Sequence, residues 1–364
     1  MSKDQHTAQT AAARPRADSG EDSGLPRVSV VIPVRNEEKH LRRCLDSIQR
    51  QDYPHELMEI LIVDGCSEDD TDRIAASFRN ESDIEVRILE NPEGNTPCGL
   101  NTGYKNARGD IFIHFIGHAM MPPHFISKDV ELLAETGSDA VGGLVVSSCL
   151  ENKTVPRGIG YALNTPFGLG GVTARTGTKA RYIDNPSFGA YRKELFEKHG
   201  YIDERLTRNQ DYEFNQRIVE AGAKIYFTPE IKSFYFNRPS YGSLWKEYFN
   251  AAKWRTFMIG RFARAVRMRH LVPPLFLLSL LGLGIGSFFS PLVAGLFAAL
   301  LTVYLAAGVI SASRVCAEKG WRFFPSMLFS YPVIHLAYGA GFIWGLLYFQ
   351  LLGRGKQVNR AEAQ

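Results

Sequence analysis

The chain has 364 residues, enough for one large domain with additions or for two domains. A formal charge of +4 is too slight to argue for a nucleic-acid partner. The five cysteines (Cys44, Cys66, Cys98, Cys149 and Cys316) lie far apart without a CxxC pair, which argues against a disulfide framework or cysteine zinc site and for reduced thiols in a cytosolic compartment.

Residues 1–24 are polar, rich in Ser, Ala and Asp, and without periodicity, so they read as a disordered tail. No apolar stretch of signal-peptide type follows the start, which puts the next domain on the cytosolic side. Val28–Val34 (VSVVIPV) is a short β-branched run of the kind that forms a buried parallel strand, ended by Pro33. The polar loop Arg35-Asn36-Glu37-Glu38 leads into a helix with Leu41, Cys44, Leu45 and Ile48 on one face. Met58–Asp64 is a second apolar strand that ends in a carboxylate. Polar groups at the carboxyl ends of two such strands occupy the place where open α/β sheets bind ligands. The GxGxxG fingerprint is missing from the first turn, which disfavours a dinucleotide-binding dehydrogenase.

A turn and helix follow Asp64, then a strand over Ile84–Leu89, a loop over 91–97 and a helix over Leu100–Ala107. The next strand, from Asp110 towards Ala119, sets His114, Ile116 and His118 on one face. A helix runs from Pro122 to Leu133 and a strand from Asp139 to Val146. Thr154–Thr178 carries six glycines and reads as a long flexible lid or substrate loop, and Arg175, Lys179 and Arg181 either reach a phosphate from it or are ordinary surface charges. The helix from about Gln210 ends at Gly222, and Lys224–Phe227 is the last core strand.

Beyond 240 the composition changes. Residues 241–270 are aromatic and basic, with Arg261, Arg264 and Arg267 on one helical face, as in amphipathic helices lying in a membrane interface. Leu271–Phe289 and Leu292–Ala312 are nearly charge-free and each close to the ~20 residues that cross a bilayer. Ser290-Pro291 makes them a hairpin, with basic flanks that put both ends in the cytosol. Residues 323–353 read as an interfacial approach followed by one crossing, with a re-entrant hairpin as the alternative, and 354–364 as a polar tail.

VIPVRNEE followed by IVDGCSEDDT resembles the start of a family 2 glycosyltransferase. Further matches in order are Leu100-Asn101…Gly109-Asp110, Gly189-Ala190-Tyr191-Arg192 and the Asp211 segment, together covering about residues 25 to 255. The nearest group is the membrane glycosyltransferases of succinoglycan-type exopolysaccharide assembly. The resemblance implies an α/β fold of GT-A type, a mixed sheet flanked by helices over 25–240, plus C-terminal interfacial and transmembrane helices. It assigns Pro33, Arg35, Asn36, Glu37, Asp64 and Asn101 to the nucleotide-sugar, and Tyr191, Arg192, Gln210, Trp254 and Arg255 to the acceptor or its diphosphate.

Asp211, in the first turn of its helix, becomes the base that deprotonates the acceptor hydroxyl. The alternatives are a capping role for Asp211 or base work by Glu213. The family's divalent cation, Mg²⁺ or Mn²⁺, is held by an acidic residue at the position Ile116 occupies here, so His118 either takes over that contact or simply packs. The implied partners are a UDP-sugar, a lipid-linked saccharide and membrane lipids, in a bacterial plasma membrane with the catalytic domain cytosolic and with inversion at the anomeric carbon. A catalytically silent sugar-nucleotide binder is the rival reading suggested by Ile116. A processive synthase is disfavoured by the absent QxxRW.

Overall fold

The computed structural model describes residues 24–149, 152–206, 208–236, 240–259, 261–262 and 267–352. Both expected terminal tails, apart from Gly24, and the middle of the basic stretch, Arg264 included, lie outside the described residues.

Strand β1 (Val28–Val34) pairs in parallel with β2 (Met58–Asp64) and β4 (Ile111–His114), and β2 pairs with β3 (Glu85–Glu90). Pro33 does not end β1. It pairs opposite Val63, and the strand runs one residue further. Helices α1 (Leu41–Gln49), α2 (Thr71–Glu81) and α3 (Thr96–Asn106) make the crossovers. The last of these begins earlier than its sequence suggests, because the Asn95 side chain accepts from Cys98 N (2.9 Å) and Pro97 suits a first turn. Val28, Val30, Val31 and Ile32 are fully buried, and each such aliphatic side chain contributes about 1.5–3 kcal/mol.

The chain then adds β5 (Ala119–Met120), α4 (Phe125–Thr136) and β6 (Ala140–Ser148), followed by three short helices, α5 (Thr154–Leu163), α6 (Pro166–Leu169) and α7 (Thr173–Thr176). Next come β7 (Arg181–Ile183), β8 (Ser187–Arg192), α8 (Glu194–His199), α9 (Gln210–Glu220) and β9 (Ile225–Phe236). The sheet order is β3-β2-β1-β4-β8-β6-β9-β5, with β7 on β9 and β8 antiparallel to both of its neighbours. Strands β2 and β4 leave β1 on opposite sides, so the carboxyl ends of β1 and β4 form the switch point at which such sheets hold ligands.

Helix α10 (Tyr241–Phe257) starts in a capping box made by Ser240 and Ser243. It is followed by α11 (Met268–Gly286), α12 (Pro291–Lys319) and α13 (Phe324–Gly345), the last running on as a helical coil to Leu351. These give three helices long and apolar enough to cross a membrane: 268–286, 291–319 and 321–351. The third is one continuous helical run and not a re-entrant hairpin. It is 39% buried over its apolar window, against 11% and 6% for the other two.

Helix α13 is the joint between the two halves of the molecule. A Cβ at Gly341 would collide with the Phe249 carbonyl of α10, and one at Gly345 with Lys253 O and the Thr256 side chain, so only glycines allow this approach. Helix α10 is therefore docked along α13, with Leu244, Ala252 and Thr256 buried. The basic stretch after it is not a free amphipathic face. Arg261 lies 4.3 Å above the Phe257 ring and 3.5 Å from Asp203, and Arg267 pairs with Asp184.

The expected lid over Thr154–Thr178 is a further correction. The segment folds into three helices, and Gly158 abuts Ser326 of α13, whose hydroxyl donates to Val155 O at 3.1 Å, while Gly170 takes a left-handed conformation at the end of α6. Phe167 stacks edge-on against Tyr331 (4.9 Å) and His335 (5.2 Å), which straps α6 to α13.

Candidate active site

Loops after β1, β2 and β3 are stitched together at the carboxyl edge of the sheet. Ser67 is the centre of the stitching. Its hydroxyl donates to Asp64 Oδ1 (2.5 Å), its amide to Asp64 Oδ2 (3.1 Å), and its oxygen accepts from Asn36 N (2.9 Å). The Asn36 side-chain oxygen accepts from Glu68 N (2.8 Å), and Glu37 N donates to Thr71 Oγ1 (2.7 Å). Arg35 reaches across to Gly94 O (3.1 Å) in the third loop. Each polar side chain in this crevice is thus oriented before any ligand arrives.

Among the described residues, four non-glycine positions hold a left-handed backbone: Asn36 (φ 55°), Cys66 (φ 59°), Phe188 (φ 50°) and Asn209 (φ 60°). They fall after β1, after β2, in the first turn of β8 and just before α9. Such residues store about 1–3 kcal/mol each and cluster where a chain builds a site.

At the switch point, His118 Nδ1 and Glu37 Oε1 are 2.5 Å apart, tying the loop after β4 to the loop after β1. The strand stops at His114, so His118 is in a turn and the three-residue alternation expected through Ile116 does not form. Ile116 packs against the hydrophobic core. Ile116 is turned inward, Glu37 is bonded to His118, and each Asp64 oxygen accepts one hydrogen bond from Ser67, which leaves lone pairs on both carboxylates. Among the described residues no group of three His, Cys, Asp or Glu converges. A divalent cation at this site would therefore rest on one or two carboxylates, Glu37 and Asp64 being the candidates, together with the diphosphate oxygens.

Asp211 sits in the first turn of α9 and is half-buried. It lies within electrostatic range of His114, Tyr104 and Tyr191, which brings it to the carboxyl end of β4. Burial pushes the His114 imidazole below its usual range, and the Asp211 charge opposes that shift. Its neighbour Glu213 is 6% exposed and holds Arg217 at 2.9 Å and 3.1 Å, so its carboxylate is committed. Asp211 enters no ion pair among the described residues. Asn209 leaves the helix end uncapped by its side chain, donating instead to Ala251 O of α10 (3.1 Å).

Several expected contact residues have other work. Asn101 donates to Ile202 O and Glu204 and accepts from Ile202 N, so its amide serves the loop before α9. Tyr191 is in the aromatic core, its hydroxyl on Asn215 (3.0 Å). Arg192 binds Ser138 O and Leu133 O at the end of α4. Trp254 packs on Phe349 and Phe257. Gln210 opens α9 beside Asp211, and Pro33 lies within β1. Arg255 stands apart: its guanidinium lies 3.6 Å above the Tyr212 ring, facing a cavity of about 600 Å³ between the sheet domain and the membrane helices. Ser67 lies within the IVDGCSEDDT match, whereas Tyr212 and Arg269 go unassigned, because no local pattern marks a residue that acts by a contact distant in the chain.

Residues 29–200 match the family described as Glycosyl transferase family 2. The chain thus carries a glycosyltransferase domain of this family over just under half of its length. This glycosyltransferase is 29% identical over 333 residues (88% of the chain, 97% of the relative) to a dolichyl N-acetyl-alpha-D-glucosaminyl phosphate 3-beta-D-2,3-diacetamido-2,3-dideoxy-beta-D-glucuronosyltransferase of Methanococcus voltae. It is 27% identical to the succinoglycan biosynthesis protein ExoA of Rhizobium meliloti, covering 88% of the chain and 95% of the relative. Among solved structures, the mannosyltransferase PcManGT from Pyrobaculum calidifontis, in complex with GDP-Man and Mn²⁺, superposes with a TM-score of 0.56 at 19% identity, covering 88% of each chain. The likeness to that structure shows the fold: the glycosyltransferase has the GT-A architecture, a mixed sheet flanked by helices.

Proposed function

We propose that the glycosyltransferase moves a sugar from a nucleotide-sugar, a UDP-sugar by the form of its first loop, to a saccharide carried on a membrane lipid. The observation that carries this reading is Asp211, an uncommitted carboxylate at the start of α9 beside the carboxyl end of β4. The crevice of Arg35, Asn36, Glu37 and Asp64 receives the nucleotide. The acceptor hydroxyl loses its proton to Asp211 while its oxygen attacks the anomeric carbon. The bond from that carbon to the diphosphate oxygen breaks, its electron pair leaves with UDP, and the configuration inverts. The membrane helices bring this chemistry to the surface where a lipid-linked acceptor is confined. The relative from Methanococcus voltae, whose name specifies a dolichyl-phosphate-linked sugar, supports the acceptor class.

Membranes carrying the protein are incubated with a panel of UDP-sugars and lipid-linked acceptors, with and without EDTA. UDP release from one donor, lost in Asp211→Asn, is the expected result, and its persistence in chelator would show that no divalent cation takes part. Wild-type membranes that bind UDP but release none from any donor would instead favour a sugar-nucleotide binder.

A further inference from the structure

The cavity of about 600 Å³ beside α9 has a charge pattern that nothing in the sugar-nucleotide crevice explains. Arg175, Arg255 and Arg269 line it together with His270, and no Asp or Glu does. The Arg255 Nε and Nη1 are buried without a hydrogen-bond partner, although an unmet buried donor on a charged group is costly. Arg175 uses Nη1 on Ser147 Oγ (2.7 Å), and Arg269 Nε reaches only the His270 ring, at 3.4 Å. The carboxylate that acts on Arg269, Asp184, is already paired with Arg267, and such a concentration of guanidinium groups fits a phosphate or diphosphate, whose oxygens accept from planar N–H forks.

The opposite end of this cavity is hydrocarbon. Phe167, Phe276 and Tyr304 also line a second cavity, of about 230 Å³, that runs on between α11, α12 and α13 past Leu280, Leu305 and Leu328. A single ligand fills both: an anionic phosphate head attached to a long unbranched or isoprenoid chain. Tyr212, stacked under Arg255, follows Asp211 in α9, so that head would lie one residue from the base.

We infer that the phosphate group of the lipid-linked acceptor seats on Arg255, Arg269 and Arg175 while its hydrocarbon chain occupies the groove between the three membrane helices. This rests on the acceptor class proposed above, which it deepens by assigning the head and tail subsites.

The test uses the full chain in phosphatidylcholine nanodiscs, with farnesyl diphosphate and inorganic pyrophosphate as probes and UDP affinity measured on the same samples. Arg255→Gln and Arg269→Gln are expected to weaken farnesyl diphosphate binding by about tenfold or more, with UDP affinity unchanged. Leu305→Trp, a half-exposed groove position, is expected to weaken farnesyl diphosphate while leaving pyrophosphate alone. Should an arginine variant also lose UDP affinity, the Leu305 variant still decides. The inference is overturned if the arginine variants bind farnesyl diphosphate like the wild type, if pyrophosphate binds as tightly as farnesyl diphosphate, or if phosphatidylglycerol competes equally. Loss of sugar transfer with farnesyl diphosphate binding intact would count against the catalytic reading alone.

Discussion

The crevice at the end of β1 and the cavity beside α10 flank the same first turn of α9, yet they are built on opposite principles. In the crevice nearly every polar side chain is satisfied by another loop, with Ser67 joining Asn36 to Asp64. In the cavity guanidinium groups face space, and Arg255 keeps two nitrogens unmet. A satisfied network gives a rigid template that any member of a substrate class can dock against. An unsatisfied cationic set gains most of its stabilisation only when an anion arrives. The enzyme thus prepares one face by preorganisation and leaves the other to be completed by its ligand.

The sharpest way to break this comparison is at the turn between the two. Asp211→Asn is expected to lower kcat by about 10²–10⁴ with UDP affinity retained, read as sugar transfer alongside nucleotide titration. Glu213→Gln is the control. It leaves Arg217 half-paired and lowers stability by about 1–3 kcal/mol in a denaturation series, with kcat unchanged. Gly341→Leu tests whether α13 holds the cavity wall. Forcing a side chain against the Phe249 carbonyl should cost about 1–3 kcal/mol or more, and should weaken acceptor use before donor use.

Asp129 probes the sheet domain independently of both faces. It is fully buried, neither carboxylate oxygen has a partner, and burial alone raises its pKa well above the ordinary value. The folded state therefore keeps a proton that the unfolded chain gives up above about pH 3.9, so stability falls as pH rises from there towards the raised folded value. Asp129→Asn should raise the melting temperature at neutral pH, and by less near pH 4. The smallest effect is expected for Ser67→Ala, which raises the donor KM by roughly tenfold or less and leaves the acceptor KM alone, because the stitching reaches only the crevice.

Much of this architecture is legible in the order of residues alone. The strands around Val28–Val34 and Met58–Asp64 and the polar loop after the first follow from periodicity and composition, which local backbone preference and burial fix, while the carboxylate at Asp211 is marked only by the family resemblance. The expectations that fail are of one kind. The glycines of 154–178 read as a flexible lid or substrate loop, and the arginines of 261–267 as a lipid-facing helix. In the structure Gly158 abuts Ser326 of α13, and Arg261 and Arg267 pair with Asp203 and Asp184. Asn101, Tyr191 and Arg192 match the family pattern, yet in the folded chain their polar groups bond to the protein itself.

By itself the sequence determined the order of strands and helices, the α/β class, the apolar tail and the residue types gathered near the sheet edge, because each is written in runs of neighbouring residues. Only the tertiary structure decided that α13 is the joint, that Ile116 faces the core, and that Arg175, Arg255 and Arg269 share one cavity. These depend on side chains far apart in the chain meeting in space, for example Thr165 and Tyr331 at 166 positions or His335 and Phe167 at 168. No local propensity encodes such a meeting, because it is selected by packing across the whole chain.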